Sequence, residues 1–184
     1  GGSASFCGPM TTSDILTNET IDLLSSHVSV RSFSDEPVAD EMLLAALNAA
    51  RRAPTSSNWQ TYSIIVVRDQ AKKERLAELA GGQRHIVQSQ AFLAFVADFH
   101  RVDVVSREVH GIEPERGLEF TLTPVVDAAL VGEAAQVALE SFGLGAVMIG
   151  GIRAHVTDVA EVLGLPPDAF VVFGMSVGWP AAET

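Results

Sequence analysis

His27, Ser29 and Arg31 alternate along the stretch Ser26-His-Val-Ser-Val-Arg-Ser-Phe33. Alternate residues of an extended chain share a face. An imidazole, a hydroxyl and a guanidinium would therefore stand together, with Val28, Val30 and Phe33 turned inward. Such a face suits an anion, although a solvated strand edge would carry the same residues. A second polar set lies in Ala53-Pro-Thr-Ser-Ser-Asn-Trp-Gln60. Its short hydroxyls and amides either meet a ligand or satisfy their own backbone. Gln83-Arg84-His85 follows the helix stop Gly81-Gly82, where capping and helix-dipole compensation would also account for the basic pair. The fourth set is Gly143-Leu-Gly-Ala-Val-Met-Ile-Gly-Gly-Ile-Arg153, a buried strand opening into a paired-glycine turn. Glycines there let backbone N–H groups approach a flat or anionic ligand with no Cβ in the way.

Other chemistries lack their residues. The five histidines never fall at metal-ligand spacing, and no Cys-x-x-Cys or H-E-x-x-H occurs, so no metal site is expected. There is no G-x-S-x-G elbow and no phosphate loop of the Walker type. Gly143-x-Gly145 precedes a strand rather than following one and lacks a third glycine, which excludes a dinucleotide fingerprint. Binding loops without a catalytic side-chain constellation indicate a binder, or an enzyme that leaves its chemistry to a cofactor.

Length and charge narrow this further. The 184 residues are 47% apolar, enough for one domain with a substantial core. A net charge of −11 argues against nucleic acid as a partner. Between Gly117 and Thr184 the one lysine or arginine is Arg153, against eight acidic residues. An anionic cofactor would draw its cations from the first half of the chain or from another subunit. No long uninterrupted apolar run or basic-apolar leader is visible, so a soluble cytoplasmic protein is expected, with no membrane partner. The single cysteine, Cys7, falls in residues 1–9, which read as an added leader before a native start at Met10; residues 10–184 would then be one domain.

The elements that must hold these sets are legible from periodicity. Helices are expected over 15–26, over 41–52 with Asp40 as N-cap, over 70–80 with Asp69 as N-cap, from Thr123-Pro124 to Phe142, and over 155–163. Strands are expected at 62–68, 91–97 and 169–177, each buried on both faces, beside the one entering Gly150-Gly151. Residues 101–120 read as a helix and a mobile loop able to face a substrate. The helix ending at Phe142 is apolar nearly all round, which suits a place in both a core and a dimer interface. Gly132 within it suggests another backbone passing close. Strands alternating with helices indicate a central sheet covered by helices.

Taken in order, the four sets, closed by Phe173-Gly-x-x-x-Gly-Trp-Pro180, resemble the nitroreductase family of flavoproteins, in particular its oxygen-insensitive NADPH nitroreductase and NADPH–flavin oxidoreductase branch. The similarity runs from Thr12 to Pro180. It implies an α+β three-layer fold, a central mixed β-sheet flanked by helices, and a homodimer holding FMN at each end of its interface. By the same resemblance, His27, Ser29 and Arg31 hold the ribityl phosphate. Thr55, Ser56 and Ser57, with Asn58 nearby, lie along the flavin from the opposite subunit. Gln83 bonds the ring edge, and Met148, Ile149, Gly150 and Gly151 approach its N5–O4 side. The implied activity is two-electron ping-pong transfer from NAD(P)H to nitroaromatics, quinones or flavins. A flavin reductase feeding an oxygenase, or a non-catalytic flavin binder, are the alternatives. Two departures stand out. Val28 replaces an arginine usual in this branch, and the basic segment and NADPH-recognising extension that follow Gly-Trp-Pro have no counterpart in the sequence.

Overall fold

The computed structural model describes residues 16–182; Cys7, the expected leader and Met10 lie outside them. Four strands, β1 (Tyr62–Val67), β2 (Ala91–Asp98), β3 (Gly145–Ile149) and β4 (Ala169–Gly178), form one sheet in the order β1-β2-β4-β3. Every ladder between them is antiparallel. The expected mixed character reduces to one isolated parallel bridge, Ser29 with Ala146. Burial on both faces indicates layers on either side of a sheet but does not fix strand direction.

Those layers are present. On one face, α2 (Asp40–Ala50) and α6 (Leu118–Glu140) pack on Leu93, Phe95, Phe173, Met175 and Val177. On the other, α3 (Gln70–Leu79), α4 (Arg84–Gln88) and α7 (Val156–Leu163) enclose Phe92, Ala94, Val96 and Ile149. β2, central in the sheet, is buried along its whole length. β1 is an edge strand and only half-buried, contrary to the sequence expectation. Two further helices, α1 (Glu19–Ser25) and α5 (His100–His110), lie outside these layers.

Local signals fix several boundaries. Asn18 caps α1 through its side chain, and Asp69 caps α3 by accepting from Lys72 N. Gly81 and Gly82 take φ +86° and +79° and end α3 as expected. Asp40 is not the cap of α2: Ala39 holds that place, and the Asp40 carboxylate pairs with Arg68 at 2.7 Å. Thr123-Pro124 is not a helix start either. α6 begins five residues earlier and carries Pro124 inside it. The extra turn is held from outside the helix, with Phe120 against Phe99 at 4.1 Å and Arg116 4.8 Å above the Phe120 ring. Gly132 does mark a close approach, but of a ring rather than a backbone. A Cβ there would lie 2.4 Å from Cζ of Phe173, which stacks on Phe95 at 4.9 Å.

α6 is long and apolar enough to cross a membrane, yet half of that stretch is buried against the sheet. Leu118, Leu122, Val126 and Leu130 on its outer side stay exposed. Spaced four apart, they form one continuous apolar stripe.

Candidate functional site

The His27–Arg31 segment lies against the outer edge of β3. Val30 N donates to Ala146 O at 3.0 Å, and Val30 occupies the space a Cβ on Gly145 would need. Val28 is 67% exposed rather than turned inward, because only Val30 has the sheet edge beneath it. His27, Ser29 and Arg31 do share one concavity of about 340 Å³, together with Met148 of β3 and Glu133, Gln136 and Glu140 of α6. His27 Nδ1 lies 2.6 Å from Glu140 Oε1 and 3.1 Å from Gln136 Nε2. Arg31 is exposed, donates weakly to Ser29 O at 3.4 Å, and forms no ion pair among the described residues.

His85, on α4, which the sequence reading left to capping and helix-dipole compensation, belongs to the neighbourhood of Arg31. Its Nε2 is buried without a hydrogen-bond partner. Burial, then the positive charge of Arg31, holds its imidazole below the usual histidine range. An unpaired guanidinium beside an unpartnered ring nitrogen suits an anionic or hydrogen-bonding ligand.

β3 carries Met148 into the same concavity and then runs into the glycine turn. Met148 is exposed, whereas Ile149 is 1% exposed and packs in the core. Gly150 follows, exposed, and residues 151–155 form a 3₁₀ turn. A Cβ on Gly151 would lie 2.6 Å from Gln83 Nε2 and 2.8 Å from Ala80 O. The glycine thus admits Gln83, whose amide donates to Ala80 O at 2.9 Å. Gln83, Gly150 and Gly151 form one corner. Arg153, the lone cation of the C-terminal third, turns its guanidinium back to Val172 O.

The hydroxyl loop stands apart. Ser56 and Ser57 line a second cavity of about 420 Å³ with Phe99 and with Glu119, Phe120 and Thr123 of α6. Its roof includes Ile112 and Pro114 of the 111–117 loop. That loop, expected to be mobile, is tethered by Arg107 to Glu113 at 2.7 Å and by Arg116 to Asp168 at 2.8 Å. Ser57, Asn58 and Gln60 all take positive φ, between 49° and 56°. Such backbone costs a non-glycine residue roughly 1–2 kcal/mol, so something must hold it. Asp127 of α6, fully buried, accepts from Ser56 N at 2.9 Å, Thr61 N at 3.1 Å and Thr61 Oγ1 at 2.7 Å. Within one chain, Thr55, Ser56, Ser57 and Asn58 therefore do not join the other candidates. Thr123 and Gln136, at the two cavities, are separated by about 20 Å along the helix at 1.5 Å per residue.

A model of the nitroreductase family matches residues 24–179. The chain belongs to the nitroreductase family. It is 42% identical over 166 residues to an FMN reductase [NAD(P)H] of Bacillus subtilis, covering 89% of this chain and 67% of that protein. It is 44% identical over 163 residues to an oxygen-insensitive NADPH nitroreductase of Salmonella typhimurium, covering 88% and 66%. Among solved structures, an NADPH:FMN oxidoreductase from Vibrio harveyi complexed with NAD+ superposes with a TM-score of 0.84 at 35% identity, over 90% of this chain and 70% of that one. The chain thus spans about two thirds of the length of these relatives. Family, three-layer α+β fold and a flavin-dependent oxidoreductase class agree with the sequence expectation.

The residues present fit FMN. His27, Ser29 and Arg31 form a donor set with an unpaired cation, and the exposed Gly150 follows the strand that carries Met148 into the same concavity. Glu133 and Glu140 in the same concavity oppose a phosphate unless their charge is met by another group.

Proposed function

We propose that the chain is the FMN-binding domain of an NAD(P)H-dependent oxidoreductase that reduces nitroaromatics, quinones or flavins in two-electron, ping-pong turnover, acting as a cytoplasmic homodimer. The single observation that carries the shared-site reading is the separation of two ligand-facing surfaces to opposite ends of α6, with an apolar stripe exposed between them. A two-fold axis near Val126 and Leu130 would cover the stripe and set the hydroxyl loop of one protomer beside the His27–Arg31 face of its partner.

In this reading His27, Ser29 and Arg31 hold the cofactor phosphate, Gln83 meets the ring edge, and Met148, Ile149, Gly150 and Gly151 present backbone and an exposed thioether to the ring. Thr55, Ser56, Ser57 and Asn58 line the partner's site. FMN, when bound, supplies the hydride-accepting and electron-donating chemistry; the chain positions it, directs hydrogen-bond donors to it, and excludes water. No side chain is assigned as general acid.

Subunit complementation tests the proposal. Arg31→Ala and the double variant Ser56→Ala/Ser57→Ala should each lose flavin. Dissociated, mixed and reassociated, they should regain about one quarter of the wild-type sites, since half the dimers are mixed and each mixed dimer has one intact site. No recovery would refute a site shared between the two protomers. Anaerobic NAD(P)H should bleach the recovered flavin, and a nitroaromatic or quinone should restore its colour.

A further inference from the structure

We infer that Glu140 is a positioning residue for the cofactor phosphate: it accepts from His27 Nδ1 and so holds the ring with Nε2 turned to the ligand. The inference rests on the proposed site. A carboxylate in the same concavity as a phosphate would simply repel it unless it acted through another group. Glu140 is engaged with one: its Oε1 is 2.6 Å from His27 Nδ1, and its side chain is largely buried. A carboxylate can only accept, so the ring nitrogen between them is the donor. The amide of Gln136 reaches the same Nδ1 at 3.1 Å. A ring nitrogen that carries a proton cannot accept from –NH₂, so Gln136 presents its carbonyl oxygen, an orientation interchangeable with the other for a side-chain amide.

Both α6 side chains therefore hold the proton on Nδ1. His27 Nε2 makes no hydrogen bond among the described residues and is the ring nitrogen left for a ligand. In the neutral ring with Nδ1 protonated, Nε2 is a bare lone pair, which disfavours an anion. Only the imidazolium offers a donor there, and the Glu140 carboxylate offsets its charge. The other charged groups facing this concavity are Arg31 and Glu133.

The test is FMN affinity in the 184-residue chain, read by quenching of free FMN fluorescence, for Glu140→Gln, His27→Gln and the double variant. Glu140→Gln should weaken FMN roughly tenfold, the order expected when one charge-assisted hydrogen bond falls to neutral strength. In the His27→Gln background the same change should leave affinity unaltered or improve it, because an uncompensated carboxylate then faces the phosphate. Glu140→Asp keeps the charge but draws it back from Nδ1, and it should weaken FMN as well; this shorter variant serves if the amide does not fold. Long-range ¹⁵N correlation spectra should show His27 protonated at Nδ1 in the cofactor-free protein. Tighter binding by Glu140→Gln, or equal effects in both backgrounds, overturns the inference alone. Unchanged affinity in His27→Gln overturns the site reading itself.

Discussion

Replacing Asp127 with Asn should destabilise the fold by about 3 kcal/mol and release the hydroxyl loop. The carboxylate accepts three hydrogen bonds at a fully buried position, one from Ser56 N and two from Thr61. An amide of the same shape keeps one accepting oxygen. Facing Thr61, whose side chain is equally buried, it can serve both of that residue's donors, but its –NH₂ then meets the Ser56 N–H head-on. One charge-assisted bond worth about 1.5–3 kcal/mol is lost and the other two fall to neutral strength, about half, so the low end of the loss is about 3 kcal/mol. The assay is urea unfolding at constant slope, with hydrogen exchange at Ser56 and Thr61 as the local readout. In a chain of this size, 3 kcal/mol corresponds to roughly 6–12 °C in Tm. A variant within about 0.5 kcal/mol of wild type, with unchanged exchange at Ser56, would refute the assignment of Asp127 as the anchor of that loop.

Gly132→Ala should cost about 1–2 kcal/mol in urea unfolding, the overpacking of Phe173 exceeding the gain in helix propensity. His85 makes stability depend on pH. Its native value lies below the ordinary 6.5, so the unfolded chain binds more protons between the two values. Relative to His85→Gln, the wild type should lose stability as pH falls below 6.5 and level off beneath the native value, as measured by urea midpoints across that range. Arg31→Ala should shrink this dependence, because its charge is the second cause of the shift. Leu122→Glu/Val126→Glu should give a monomer that folds but retains no flavin, judged by sedimentation and by the visible spectrum.

Much of the scaffold was legible because its signals are local. Asp69 and Gly81-Gly82 bracket α3 through short-range backbone chemistry, and the apolar runs at 91–97 and 169–177 give β2 and β4 nearly to the residue. The misreadings share a cause, which is that long-range contacts decide them. Strand direction depends on how the chain crosses the sheet, and α6 starts at Leu118 because Phe99 and Arg116 hold Phe120. The motif residues around His27 and Gly150 were visible as stretches, and Arg31 was legible from its alternation with His27 and Ser29. Glu140, Gln136 and Asp127 were not, since each acts across more than 60 positions of sequence on a helix that reads simply as apolar. His85 was visible two residues past Gln83, but its unpartnered Nε2 is a property of packing that sequence does not carry.

The most direct test of a cofactor site shared between two chains is sedimentation of the purified protein followed at the flavin band and at 280 nm together. The account predicts that flavin absorbance moves with a species of twice the chain mass, near one FMN per chain. Flavin sedimenting with a monomer, or a dimer that stays colourless when FMN is added, would contradict it.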